Sequence, residues 1–164
     1  MRAVIQRVNY ARLFIDDEVY SKINKGLLVL IAVENNDRIN DIKWLVKKIC
    51  EMRIFSDSNK KLNLSVRDIL GEIMVVSQFT LLASTKKGNR PSYIKALKTK
   101  EAIKVYNNFI SELEKTFMKK IKTGFFGKEM KIELENDGPV TIIIDSKNKD
   151  LWILKTHSYQ LING

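Results

Sequence analysis

The feature that most constrains this chain is an uninterrupted apolar run, Leu27–Val33, opened by Gly26. Seven residues is strand length, and a strand with no polar face must be covered on both sides. A second run, Glu72–Leu82, is almost as apolar and is expected as another strand. Between the two, Ile39, Ile42, Leu45, Val46, Ile49 and Met52 recur at helical spacing and form one stripe, with Cys50 beside it. A second amphipathic helix follows, with Ala102, Tyr106, Phe109, Ile110, Leu113 and Phe117 as its buried side.

The remaining segments are strand-like. Met1–Val8 and Asn9–Ile15 are rich in β-branched residues and lead to an Asp16-Asp17 turn. Arg53–Phe55 reads as a short strand before a turn cluster at Ser56–Lys61. Met130, Ile132 and Leu134 alternate with charged residues, a half-exposed strand. Asn136–Pro139 is expected as a turn, a hairpin tip, before a closing strand Val140–Asp145. With 164 residues, no repeats and no linker, the expectation is one α/β domain. Its sheet should be mixed and largely antiparallel, with two main helices.

Several chemistries are excluded early. One cysteine, Cys50, allows no intrachain disulfide and no CxxC site. The single histidine, His157, would have to carry any Ser-His-Asp or zinc mechanism alone. No Walker loop or HExxH occurs, and Gly124-Phe125-Phe126-Gly127 lacks the third glycine of a dinucleotide fingerprint. No metal and no cofactor are therefore expected. The longest apolar run is about a third of the roughly 20 residues a membrane span needs. Arg2, Arg7 and Arg12 interrupt any secretory h-region, so a soluble cytoplasmic protein is expected.

The net charge of +10 favours a polyanionic partner, and its distribution sharpens the point. Seven cations, among them Lys86, Lys87, Arg90, Lys98 and Lys100, face one acid between Ser84 and Lys104. Six lysines face three glutamates between Glu112 and Lys131. A solvated lysine-rich surface would give the same numbers. Next to the first cluster, Ser77-Gln78-Phe79-Thr80 places polar side chains at the end of an apolar run, where each needs a partner.

At these positions the chain resembles the D-aminoacyl-tRNA deacylase family from Met1 to about Ser146. The matching stretches, in order, include MRAVIQRV, GLLVLIAV, MRIF, LNLSV, VVSQFTL, TKKGNRPSY, FGKEM and NDGPVT. The pair SQFTL and NDGPVT is the most specific. The resemblance implies a homodimer of three-layer β/β/α domains with active sites at the subunit interface. It implies hydrolysis of the ester between a D-amino acid and the terminal ribose of tRNA, an aminoacyl-tRNA being the substrate partner. By the same match Ser77, Gln78, Phe79 and Thr80 line the catalytic pocket. Gly138 and Pro139, joined by a cis bond, would enter the partner's pocket and exclude L-amino acids. Arg7 would brace that dipeptide and Met130 would wall the pocket.

Two catalytic accounts follow from the family: Thr80 as nucleophile, or the ribose 2′-hydroxyl activating water while backbone N–H groups near Phe79 and Thr80 polarise the carbonyl. The second is favoured, because nothing local would activate a threonine hydroxyl. Glycine mischarged on alanine tRNA should also be a substrate. Lys86, Lys87 and Arg90 are expected to contact acceptor-end phosphates. The alternative is a non-catalytic RNA-binding module on the same fold. The expected domain is residues 1–146, followed by an extension, 147–164, of unknown packing. Trp152, Ile153, Leu154 and Tyr159 make that extension too apolar for a simply solvated tail.

Overall fold

The structure, a computed structural model, describes residues 1–149. His157 and most of the expected extension, including Trp152 and Tyr159, lie outside the described residues. Eight strands and two long helices follow in order. They are β1 (Arg2–Ile15), β2 (Glu18–Ile23), β3 (Gly26–Ala32), α1 (Ile39–Glu51), β4 (Phe55–Ser56), β5 (Leu62–Leu64), β6 (Glu72–Ser77), α2 (Thr99–Phe117), β7 (Lys122–Thr123) and β8 (Lys131–Asp145).

β1 is a single strand rather than the two expected, and it serves two layers. Arg2–Val8 pairs antiparallel with β3, while Ala11–Ile15 pairs antiparallel with β2 through the Asp16-Asp17 turn, both of whose residues have positive φ. β8 runs antiparallel along both halves of β1. The register slips around Val8, and the inward side changes there. Ala3 and Ile5 pack with α1 and α2, whereas Val8, Ala11 and Leu13 join a second cluster with Leu28, Met74 and Val76. The strand thus curls over, and β2 lies across β6 and β7. β3 and β6 are parallel, as are β6 and β7, so the sheet is mixed with antiparallel pairs around β1.

The first cluster explains the helices. Ile42, Leu45, Val46, Ile49 and Cys50 of α1 are buried, as are Ala102, Tyr106, Phe109, Leu113 and Phe117 of α2. Both stripes press on the side chains of Leu27, Val29, Ile31, Ile73 and Val75. The alternate residues of the same strands, Leu28, Met74 and Val76, face the second cluster. That is why Leu27–Val33 has no polar face: it is the middle of three layers. At the start of α1, the Arg38 N–H donates to Asp41 Oδ2 at 2.8 Å, satisfying one of the donors a helix start exposes. No helix among the described residues is long and apolar enough to cross a membrane.

Two expectations are corrected. The run Glu72–Leu82 is not one strand: β6 ends at Ser77 and Phe79–Leu82 forms a short 3-10 helix. Asn136–Pro139 is not a hairpin tip, because β8 continues in one direction through it.

Candidate active site

β3 and β6 end side by side, with Ile31 opposite Ser77, and the carboxyl ends of parallel strands are where such sheets bind ligands. The chain leaves the sheet there because its polar residues begin there. The Gln78 N–H donates to Ile31 O at 2.7 Å, the last ladder-like bond, and the backbone then tightens into the 3-10 turn. Arg2 fixes that turn from below: its Nη1 donates to Leu81 O at 2.9 Å while its Nε donates to Asp145 Oδ2 at 3.0 Å. The side-chain amide of Gln78 donates to Thr80 Oγ1 at 2.5 Å. The N–H groups of Phe79 and Thr80, first in the turn, have no acceptor within it.

A cavity of about 630 Å³ opens at this point, of a size that suits a small ligand. Ser77, Gln78 and Phe79 form one wall and Met130 with Ile132 another, with Tyr106 and Phe126 beyond. Phe79 and Tyr93 meet edge to face at 5.0 Å, and Tyr106 and Phe126 at 5.5 Å, so two aromatic pairs frame it. The lining residues include no carboxylate and no histidine. Burial pushes the Tyr106 phenol well above its ordinary range, and its hydroxyl donates to Val75 O at 3.0 Å. Tyr106 therefore stays protonated and cannot serve as a base near neutral pH. What the cavity offers an ester is hydrogen-bond donors and apolar walls.

Gly138 and Pro139 lie elsewhere. Between the pairs Val8–Asn136 and Gln6–Thr141, β8 carries four residues opposite Arg7 alone. The excursion is held from beneath. Arg7, buried, donates from Nε to Asp137 O at 3.1 Å and pairs with Asp137 Oδ2 at 3.0 Å, and its Nη1 donates to Ile54 O at 2.6 Å. Asn136 Oδ1 accepts the Val140 N–H at 3.0 Å, closing the loop across its base. Gly138 has φ 123°, and a Cβ there would come within 2.8 Å of Arg7 Nη2. The Gly138–Pro139 bond is cis.

The structure thus brings Ser77, Gln78, Phe79 and Met130 to one cavity, with Thr80 bonded to Gln78, and brings Arg7 to Gly138 and Pro139. It does not bring the two groups together within one chain. Arg7 pairs with Leu27, four residues from Ile31 at the cavity, or roughly 13 Å along the strand. Lys86, Lys87 and Arg90 are exposed on a loop closed by the Ser84–Ser92 bridge and do not line the cavity.

A family model for D-Tyr-tRNA(Tyr) deacylase matches residues 4–145. The chain belongs to this family. The D-aminoacyl-tRNA deacylase of Flavobacterium psychrophilum is 59% identical over 150 residues, 92% of this chain and all of that one. The D-aminoacyl-tRNA deacylase of Parabacteroides distasonis is 59% identical over the same span. A solved structure described as c-Myc DNA Unwinding Element Binding Protein superposes with a TM-score of 0.84 at 39% identity, covering 88% of this chain and 98% of that one. A structure of a probable eukaryotic D-amino acid tRNA deacylase shares the fold, with a TM-score of 0.76 at 17% identity over 88% of this chain and 98% of that one.

In this deacylase family member, sequence reasoning missed part of the cavity wall. Tyr93, Phe126 and Lys128 stand in stretches used for the family match, TKKGNRPSY and FGKEM, yet were given no role. Nothing in their spacing marks them, because the wall is assembled from five separate segments. The signal that could have found Tyr93 is an aromatic residue in an otherwise polar loop.

Proposed function

We propose that the protein hydrolyses the ester joining a D-amino acid to the 3′-terminal ribose of tRNA and so removes D-residues before translation uses them. Water adds to the acyl carbon, the acyl–oxygen bond breaks, and tRNA leaves with its hydroxyl restored. The observation that carries this reading is the cavity itself: donors from Ser77 to Thr80 at the sheet edge, and no carboxylate or histidine among the lining residues. The base is then supplied by the substrate, whose 2′-hydroxyl stands next to the ester. The N–H groups of Phe79 and Thr80 stabilise the developing oxyanion. No metal is required.

Selection between D and L falls to Gly138 and Pro139 of a second copy. One chain holds this dipeptide too far from its own cavity, so a homodimer completes the site. The exposed Ile143, on the long edge strand β8, supplies apolar surface for such pairing. Rigid backbone near the α-carbon rejects an L side chain by clash and needs no recognition of the D side chain. D-Tyr, D-Phe and D-Asp esters are all substrates on this account, and glycine on alanine tRNA also passes. The reaction belongs in the cytoplasm, where aminoacyl-tRNA is made.

The test is single-turnover hydrolysis of D-Tyr-tRNA and L-Tyr-tRNA side by side in EDTA. The D ester should disappear at least 100-fold faster. Equal rates would end the selection account. No hydrolysis with tRNA still bound would move the protein to an RNA-binding module.

Lys86 and Lys87 contact acceptor-end phosphates on this reading. Neutralising both should raise KM for every tRNA alike and flatten its dependence on salt by roughly one to two in log–log slope. An unchanged slope would leave the loop as solvated surface.

A further inference from the structure

Outside the cavity, a second set of cations leads away from Lys128 along β2 and the end of α2. Lys128, at the cavity wall, places its ammonium 5.3 Å from the Phe125 ring centre. Phe125 meets Tyr20 of β2 edge to face at 6.4 Å. Tyr20 lines a groove with Arg12, Lys22 and Lys122, and Lys122 is shared with a second groove that holds Lys25, Lys119 and Lys120 at the end of α2. The path is continuous from the cavity to the far end of the helix.

Two properties separate this path from an ordinary lysine-rich face. Lys22, Lys25, Lys120 and Lys122 make no ion pair among the described residues, and Glu72 is the one carboxylate lining their grooves. Of the carboxylates nearby, Glu72 Oε2 accepts the Asn24 N–H at 2.6 Å, Glu133 pairs with Arg12 at 3.5 Å, and Asp16 pairs with Lys128 at 3.7 Å at the cavity end of the path. Second, Tyr20 and Phe125 are about half exposed, at 51% and 48%, side by side among those cations. Flat rings interleaved with unpaired cations suit a single-stranded polynucleotide, whose bases stack while its phosphates pair.

We propose that this path is a track for the ribose–phosphate backbone of the RNA substrate, with Tyr20 and Phe125 as a stacking platform between the cavity and the lysines. Lys22, Lys25, Lys120 and Lys122 neutralise phosphates; Lys128 and Phe125 join the track to the site. The proposal rests on the deacylase reading for the identity of the RNA, but its geometry does not depend on hydrolysis.

The test uses the full protein with uncharged tRNA, followed by fluorescence anisotropy over a range of salt. Lys22→Gln/Lys120→Gln/Lys122→Gln, all exposed positions, should raise Kd at least tenfold. It should also reduce the log–log salt slope by about 2, at roughly 0.7 per lost contact. Tyr20→Ala alone should weaken binding roughly tenfold with the slope unchanged. Hydrolysis of the D-tyrosyl ester of adenosine, too short to reach the track, should proceed as in the wild type for both variants. Unaltered tRNA affinity and slope in the triple variant would overturn the proposal, and so would an equal loss on the adenosine ester. Lost binding of polyglutamate with tRNA binding intact would overturn it in favour of an acidic protein partner. If the wild type hydrolysed neither ester, the deacylase reading would fail while the tRNA titration still decided the track.

Discussion

Arg7→Ala should lower the thermal midpoint by roughly 6–12 °C and, in the same protein, raise the rate on L-Tyr-tRNA relative to D-Tyr-tRNA at least tenfold. The stability term follows from what the guanidinium holds. It is buried, pairs with Asp137, and donates to the carbonyls of Asp137 and Ile54. Asp137 is one-third exposed, so removing the guanidinium costs on the order of 3 kcal/mol, the lower end for a buried pair. In a domain of this size each kcal/mol moves the midpoint by roughly 2–4 °C. The selectivity term follows because the Asp137–Val140 excursion loses its support from beneath. Arg7→Lys separates the two: it keeps the charge, but one ammonium cannot reach Ile54 O and both Asp137 oxygens as the planar fork does. It should recover most of the midpoint and little of the discrimination. A destabilised Arg7→Ala protein that still refused L-Tyr-tRNA, assayed well below its midpoint, would detach the excursion from chiral selection.

A tRNA ending in 2′-deoxyadenosine, charged with D-Tyr on its 3′-hydroxyl, should be hydrolysed at least 100-fold more slowly than the ribose form, while Thr80→Ala stays within tenfold of wild type. The cavity's lining residues contain neither carboxylate nor histidine, and Tyr106 is held protonated. Thr80 Oγ1 accepts from the Gln78 amide at 2.5 Å and has no neighbour there to take its proton. A hydroxyl without a base is a poor nucleophile, whereas the substrate's own hydroxyl is placed by binding alone. Single-turnover rates on both substrates check the pair together. Loss of activity in Thr80→Ala with full activity on the deoxy substrate would restore the covalent route.

Much of the fold was legible because periodicity records burial. The run Leu27–Val33 and the stripe Ile39–Met52 state which faces are covered, and those faces are covered except at Ile39, which the first turn of α1 leaves exposed. What spacing could not convey was direction. Asn136-Asp137-Gly138-Pro139 carries every mark of a tight turn, yet its two flanks pair with the same strand on the same side. The choice is made by Arg7, 129 to 132 positions earlier, and no local pattern records so distant a partner. The break after Ser77 was hidden for the opposite reason. Phe79, Leu81 and Leu82 look like strand residues, and the turn is imposed by Arg2 on the Leu81 carbonyl. β2 was missed because Glu18–Ile23 is mostly exposed and alternates weakly. Grouping Ser77–Thr80 with Met130, and Arg7 with Gly138, came from motif resemblance, since the residues are far apart in sequence.

The excursion opposite Arg7 is framed by sheet pairing on both flanks, at Val8 and at Gln6, on the strand that joins both β layers. Surface loops loosen with warming long before a domain melts, but a segment stitched into a central ladder opens only when that ladder opens. On the proposed reading, the selectivity this dipeptide confers is therefore tied to global melting rather than to local breathing. Error rates should hold level across the growth range of the cell and fail abruptly at its upper edge.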